Sequence, residues 1–317
     1  MKTVLVAWML LVMPSIGLGC DVCGIFLGIR PYDRTSSISL LWRYRHLEGD
    51  VLVPATPSAV EKHGGHAPPS STARTMHYRE LYQVAELRAD LWLHDRFALL
   101  VGLPVVNNYR AVDGMVSSDL YGVGDPLLIG RYQLVNTKCL TPDERVVHRI
   151  MLGAGVKVPL GRSDLTYNGG TVEADQQPGT GTWDLLGTAE YSVRYKRNGA
   201  ALTLVGRWNS ANADGYQLGH GISTTAEGFH RFDINEDWKV MPSLGVYHEL
   251  SGMDITNGVP DAGTGGSTLF THVGSRVWWR SWAFSATFQY AVAYNLGELM
   301  IPNRERIVLG MTYNIIK

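Results

Sequence analysis

Charged and amide side chains recur along this chain at every second position of otherwise apolar stretches, and that spacing is where its chemistry lies. Arg43, Arg45, Glu80, Glu86, Arg88, Asp90, Arg131, Arg149, Lys157, Glu190, Arg207, Glu249, Arg276, Gln289 and Arg306 all fall on the face opposite Leu, Val, Ile, Trp or Tyr. If these stretches form a closed barrel, the polar face lines a wet interior and can select solutes by charge and hydrogen bonding. Because both signs are present, the same residues could instead pair with one another and fill a narrow lumen. Composition leaves both readings open.

Other chemistry is more thinly represented. Glu61-Lys62-His63-Gly64-Gly65-His66 places two imidazoles and a carboxylate in one polar loop, so His63 and His66 are candidate ligands for a transition metal if further ligands converge. Flexible polar loops also carry histidine without binding anything. Cys20-Asp-Val-Cys23 can be a local disulfide, a metal pair or a redox motif, and an oxidising compartment favours the disulfide. Cys139 is left over as an odd thiol.

An outer-membrane lipid hydrolase would need a serine beside a histidine base, and His77, His148, His220, His248 and His272 stand at no recurring distance from serine. No catalytic residue is assigned, and no enzyme activity is expected. Gly122-Val-Gly-Asp-Pro126 lacks the lysine and following helix of a phosphate loop, so its glycines read as turn or strand-entry positions. No cofactor motif is evident.

The elements that must position these residues are β-strands. The clearest pair runs from Thr268 to Tyr294. Leu269, Thr271, Val273, Ser275, Val277 and Trp279 alternate with Thr268, His272, Gly274 and Arg276; after Ser281, Trp282, Phe284, Ala286, Phe288, Tyr290, Val292 and Tyr294 alternate with small or polar residues. Taken alone, this hairpin would also suit a soluble sandwich. Trp and Tyr gather at the ends of its apolar face, however, which is the order a bilayer imposes, with amphipathic rings at the headgroups and aliphatic groups in hydrocarbon.

Similar alternation predicts strands through Ile38–Arg45, Leu81–Leu93, Phe97–Val106, Asp125–Val135, Val146–Val158, Trp183–Val193, Leu202–Trp208, Gly219–Phe232, Val240–Leu250 and Arg306–Lys317. Long connections alternate with short ones: 48–74, Asn107–Leu120, Leu160–Thr182 and Gly252–Gly266 read as extracellular loops, while His94-Asp95-Arg96 and Lys196-Arg197-Asn198-Gly199 read as periplasmic turns, the latter on its Asn-Gly signal. The count comes to about twelve strands, an even number that brings the C-terminus back to the periplasm.

The expected fold is all-β: one transmembrane antiparallel up-and-down barrel over residues 38–317. Lys2, the apolar run Val4–Met13 and Gly17-Leu18-Gly19 predict a cleaved signal peptide over 1–19, and Cys20 could alternatively mark a lipoprotein. Residues 20–37 then form a periplasmic leader or plug. A mean hydropathy of -0.04 is too low for a helical membrane protein but suits alternating faces. With 28 Lys and Arg against 29 Asp and Glu, the formal charge of -1 argues against a nucleic-acid partner. The expected partners are outer-membrane lipid, a small-molecule solute and the barrel-assembly machinery.

Three segments carry a resemblance: Gly122-Val-Gly-Asp-Pro-Leu-Leu-Ile-Gly-Arg-Tyr-Gln-Leu134, His148-Arg-Ile-Met-Leu-Gly-Ala-Gly-Val-Lys-Val-Pro-Leu-Gly161 and Gln177-Pro-Gly-Thr-Gly-Thr-Trp-Asp184. They resemble the family of outer-membrane transporters named for the meta-pathway of phenol degradation, and the Cys20-Asp-Val-Cys-Gly leader looks like a subgroup of secreted barrels. The resemblance implies passive uptake of small, apolar or aromatic molecules. A metal-binding or sensing surface barrel with a filled lumen is the alternative.

Overall fold

The computed structural model describes residues 34–53, 73–139 and 146–315. The wall is built from β1 (Ser36–Val53), β2 (Arg74–His94), β3 (Phe97–Val112), β4 (Met115–Val123), β5 (Leu127–Asn136), β6 (Val146–Lys157), β7 (Asp184–Tyr195), β8 (Asn198–Trp208), β9 (Gly221–His230), β10 (Trp238–Ser251), β11 (Gly266–Trp279), β12 (Trp282–Leu296) and β13 (Asn303–Ile315). The strands pair antiparallel with their chain neighbours except β4 and β5, which do not pair with each other. β13 returns to β1, from Ser36 opposite Ile315 to Leu47 opposite Asn303, and closes the ring.

β4 and β5 share one place in the wall, since both pair with β3. Gly124-Asp125-Pro126 interrupts them because proline cannot donate to a ladder, although Gly124 N–H still reaches the Pro104 carbonyl at 2.9 Å. Counted this way the barrel has twelve strands, as the alternation predicts.

The outer face follows the same alternation. Leu87, Leu103, Leu152, Leu244, Val273, Phe288 and Leu309 are all exposed, Leu244 by 68%. Aliphatic groups so bare would be costly in water but belong in hydrocarbon. At the short-turn end aromatic rings gather: Trp238 lies 5.9 Å from Trp279 and Trp282 lies 5.0 Å from Tyr313. Trp183, Trp208, Tyr121 and Tyr290 are exposed towards the other end. An apolar band between aromatic girdles on a closed barrel is an outer-membrane architecture.

Several local expectations are corrected. Asn107–Leu120 is a β-hairpin extension, β3 running on to Val112 and turning at Asp113-Gly114, whose φ values of 49° and 80° suit a tight hairpin turn. The next short turn is Lys196-Arg197, with Lys196 at φ 52°, while Asn198 and Gly199 already belong to β8. Gly199 serves packing instead, since a Cβ there would meet the Phe229 ring at 2.3 Å. In β12 the register shifts so that Leu269 faces Ala293 and Phe270 faces Ala291, leaving Val292 as a bulge. Tyr294 therefore lies opposite Thr268, and the apolar row does not run unbroken to it.

The barrel proper begins at Ser36, just before the expected Ile38. The signal peptide and all but the last residues of the leader lie outside the described residues.

Candidate functional site

The polar residues that alternate with the exposed apolar ones are buried within the ring of strands, and their charges are held in clusters. Arg131 on β5 is completely buried. Its guanidinium donates to Asp90 Oδ1 on β2 at 2.6 Å and to Glu190 Oε1 on β7 at 3.2 Å. It reaches over two intervening strands because its ladder neighbours are Ala98 on β3 and Gly153 on β6. A Cβ at Gly153 would stand 2.9 Å from Arg131 Cγ, so the glycine makes the bridge possible. Beside it, the wholly buried Glu86 accepts from Arg43 at 2.9 Å and from Arg88 at 2.7 Å. Leu100, Leu127, Ile129, Leu186 and Val205 form an apolar patch on the same side of the lumen.

At the long-loop end the charges reach across the barrel. Glu249 on β10 lies 3.4 Å from Arg45 on β1, although β11, β12 and β13 separate those strands around the wall. Arg306 on β13 also pairs with Glu249, and its guanidinium sits 4.7 Å from the Tyr247 ring centre. Arg45 Nε donates to Asn303 at 2.6 Å, and Tyr247 O–H donates to Glu249 at 2.8 Å. A cavity of about 20 Å³, room for a water molecule, lies among Arg45, Glu249, Thr268, Met300 and Asn303.

The segment 158–183 folds into this mouth. Arg110 near the tip of β3 donates to Glu80 at 2.5 Å, to Glu173 at 2.7 Å and to Asp175 at 3.1 Å. Gln176, fully buried, donates to the Tyr82 hydroxyl, and Asn108 donates to the Gln176 carbonyl at 3.0 Å. Burial pushes the Glu173 carboxyl up to about 8, against the pull of Arg110 and helped by the charge of Asp175.

The root of that segment is one knot. Asp125 accepts from Gly161 N–H at 2.9 Å, from Thr180 N–H at 2.8 Å and from the Thr180 hydroxyl at 2.9 Å. Lys157 lies 3.3 Å from Asp125 and 2.5 Å from Asp184, whose Oδ1 accepts from Thr182 at 2.8 Å. A Cβ at Gly161 would lie 2.8 Å from Gly179 Cα and 2.9 Å from the Gly124 carbonyl carbon. The three segments that carry the family resemblance therefore meet here, and their glycines are required by close backbone approach.

Of the other predicted lining residues, Arg149 and Arg207 face inward and are buried. Gln289 is buried beside His272, 3.1 Å from its Nδ1, and His272 Nε2 lies 3.4 Å from Glu227. Arg276 also faces the lumen, between Met241 and Ser285 in the ladder. His63, His66, Cys20 and Cys23 lie outside the described residues. Among the histidines considered as bases, His77 engages Asp50 and Glu48, His148 the Tyr191 hydroxyl, and His220 the Asn209 N–H. None of these contacts is a serine.

Sequence reasoning missed Arg110, Asp125 and Glu227, and also Phe270 and Trp278, both buried on the inner face of β11. Arg110 was legible had β3 been extended past Asn107. Asp125 lay inside a motif read for its glycines, and nothing in the pattern marks an inward tryptophan.

No protein-family model matches the chain, and no curated protein matches it. Among solved structures, the COG4313 outer membrane channel from Pseudomonas putida F1 matches with a TM-score of 0.60 at 14% identity, covering 96% of this chain and 100% of that one. The translocator domain of the autotransporter NalP from Neisseria meningitidis matches at 0.38 and 10% identity, covering 88% of each chain. A FadL homologue from Pseudomonas aeruginosa matches at 0.32 and 9%, covering 88% of this chain and 90% of that one. At such identity the first likeness speaks to the fold: this chain shares the architecture of an outer membrane channel along essentially its whole length.

Proposed function

We propose that this protein is a passive outer-membrane channel for small, apolar or aromatic molecules, belonging to the transporter family named for the meta-pathway of phenol degradation. One observation carries the reading. The ion pairs around Arg131 and Glu86 and the Leu100 patch crowd β1–β8, whereas on β9–β13 small inward residues stand between larger ones such as Tyr247, His272 and Trp278: Ser223 and Thr225 on β9, Ser243 and Gly245 on β10, Gly274 on β11, Ser285 on β12 and Gly310 on β13. Ser223, Thr225, Ser243 and Ser285 stay partly exposed. A barrel of this strand number is wider than the small barrels that side chains fill, and these residues leave the spare width on one side. The shared fold with a protein described as a channel, and the motif resemblance, support the same reading.

The competing reading, a scaffold with a closed lumen, is favoured by the Arg45–Glu249–Arg306 bridge across the mouth. Liposome swelling and single-channel conductance of refolded protein, with residues 20–37 present and deleted, decide between them. Solute flux in either form is expected; no flux in both forms overturns the channel reading.

A further inference from the structure

Towards the short-turn end of the lumen two hydrogen-bond donors lie side by side with no acceptor among the described residues. Arg276 and Trp278 are successive inward residues of β11, and the Arg276 guanidinium sits 5.9 Å from the Trp278 ring centre. Arg276 makes no ion pair among the described residues, unlike Arg43, Arg45, Arg88, Arg131 and Arg306, each of which has a carboxylate. The carboxylate whose field reaches it is Glu227 on β9, already held 3.4 Å from His272 Nε2. Trp278 is 1% exposed, yet its Nε1 has no acceptor among the described residues. A buried N–H without a partner forfeits the hydrogen bond it had to water, and a cation stacked on an indole keeps its in-plane donors free for an anion.

The surroundings say what kind of anion. Trp278 packs with Met241 and Ala283, and Ala201 and Phe229 lie against them, so an apolar surface borders the two donors. On the β12 side the ladder neighbours of Arg276 are Ser285 and then Gly310, which leave room beside the guanidinium.

We propose that Arg276 and Trp278 form a carboxylate-binding station in the periplasmic half of the lumen, which takes a small monocarboxylate with an apolar or aromatic body. The guanidinium and the indole N–H hold the carboxylate; the Met241–Phe229 surface holds the body. This rests on the channel reading for its place in a transport route and narrows the solute class to amphipathic acids. Selectivity arises because a neutral amide of the same shape offers one carbonyl acceptor in place of two anionic oxygens and no charge to the guanidinium.

Calorimetric titration of the refolded full chain in a non-ionic detergent tests the station without requiring flux, using phenylacetate and its neutral counterpart phenylacetamide. Wild-type protein should bind phenylacetate saturably, with affinity reduced about tenfold or more in Arg276→Gln, the size of a lost charge-assisted hydrogen bond. Trp278→Phe keeps the ring and removes only the N–H, so a loss of about three- to tenfold is expected. Phenylacetamide should bind wild type more weakly than phenylacetate does, and its affinity should change much less than that of phenylacetate in Arg276→Gln. Equal phenylacetate affinity in wild type and Arg276→Gln, or phenylacetamide binding as tight as phenylacetate, overturns the station, as does undiminished affinity in Trp278→Phe should Arg276→Gln fail to fold. Binding with this pattern but no flux in liposomes overturns the channel reading and leaves the station standing.

Discussion

At the residue scale, the interior charges are held against a steep desolvation cost. Arg131, Asp90 and Glu86 have almost no accessible surface, so each is tolerable only while its partners stay in place. Removing one partner therefore costs more than the pair contributes. Arg131→Ala strands Asp90 and Glu190 together in a dry corner, and the barrel should lose about 3–5 kcal/mol, read from urea unfolding in detergent or bilayer. Asp90→Asn with Glu190→Gln added to Arg131→Met removes the charges altogether and should recover most of that loss. A triple variant no more stable than Arg131→Ala would show that the cost lies in packing.

Glu173 makes a different residue-scale case, because it sits in the infolded segment 158–183. Its carboxyl is raised by burial to about 8, above its value in an unfolded chain, so the folded loop binds a proton that the released loop gives up. Attachment is then fully present at low pH and declines as pH rises through about 8. Above that point Glu173, Asp175 and Glu80 share the single Arg110. Hydrogen-exchange protection factors over residues 163–180, which remove the intrinsic base-catalysed rise in rate, should be lower at pH 9 than at pH 6, and Glu173→Gln should remove most of the difference. The same pH dependence in Glu173→Gln would assign it to another group.

At the element scale, the strands were legible and the knot between them was not. Alternation in β6, with Ile150, Leu152, Ala154 and Val156 out and Arg149 and Lys157 in, is a one-dimensional signal, because neighbouring residues of a strand must face opposite ways. Its outcome follows from the sequence alone, and so does the inward placement of Arg45, Glu86, Arg131 and Arg306. Which charge meets which is not such a signal: Arg45 and Glu249 meet across the lumen, and Asp125 gathers Lys157, Gly161 and Thr180 from distant parts of the chain. Turns failed for a similar reason. Asn198-Gly199 looks like a hairpin turn, but the Phe229 ring needs the space above Gly199 and the reversal falls on Lys196-Arg197 instead.

The knot itself can be tested. Asp125→Ala leaves the Gly161 and Thr180 N–H groups without their acceptor, about 1–3 kcal/mol for each group that stays dry, while Lys157 keeps Asp184. Gly179→Ala would drive a Cβ to within 2.5 Å of the Gly161 carbonyl carbon. Both substitutions should make 158–183 sensitive to limited proteolysis while the barrel keeps its heat-modifiable migration. Unchanged protection of that segment in both variants would mean that Arg110 and Tyr82 alone hold it.

At the scale of the whole molecule, the lumen is asymmetric: the Arg131 and Glu86 clusters and the Leu100 patch lie on β1–β8, while small inward residues are interspersed among the larger ones of β9–β13. The bridge from β1 to β10 closes the long-loop end because Glu249 answers two arginines, Arg45 and Arg306. Replacing Glu249 with glutamine deletes one negative charge from a ring that then holds two facing cations at short range. At an effective dielectric constant of about 20, unit charges some 4 Å apart repel by about 4 kcal/mol, enough to swing one of the two arginines away. Both effects act in the same direction on ion flow: the mouth widens and its field turns positive. Glu249→Gln should therefore raise single-channel conductance and move the reversal potential in a salt gradient towards anion selectivity, with a larger shift at low salt than at high salt because exposed charges are screened. Arg45→Gln added to Glu249→Gln leaves Arg306 stacked on Tyr247 and should bring the reversal potential back towards the wild-type value while conductance stays high. Reversal potentials that do not differ among the three proteins would place the narrowest point of the route elsewhere in the lumen.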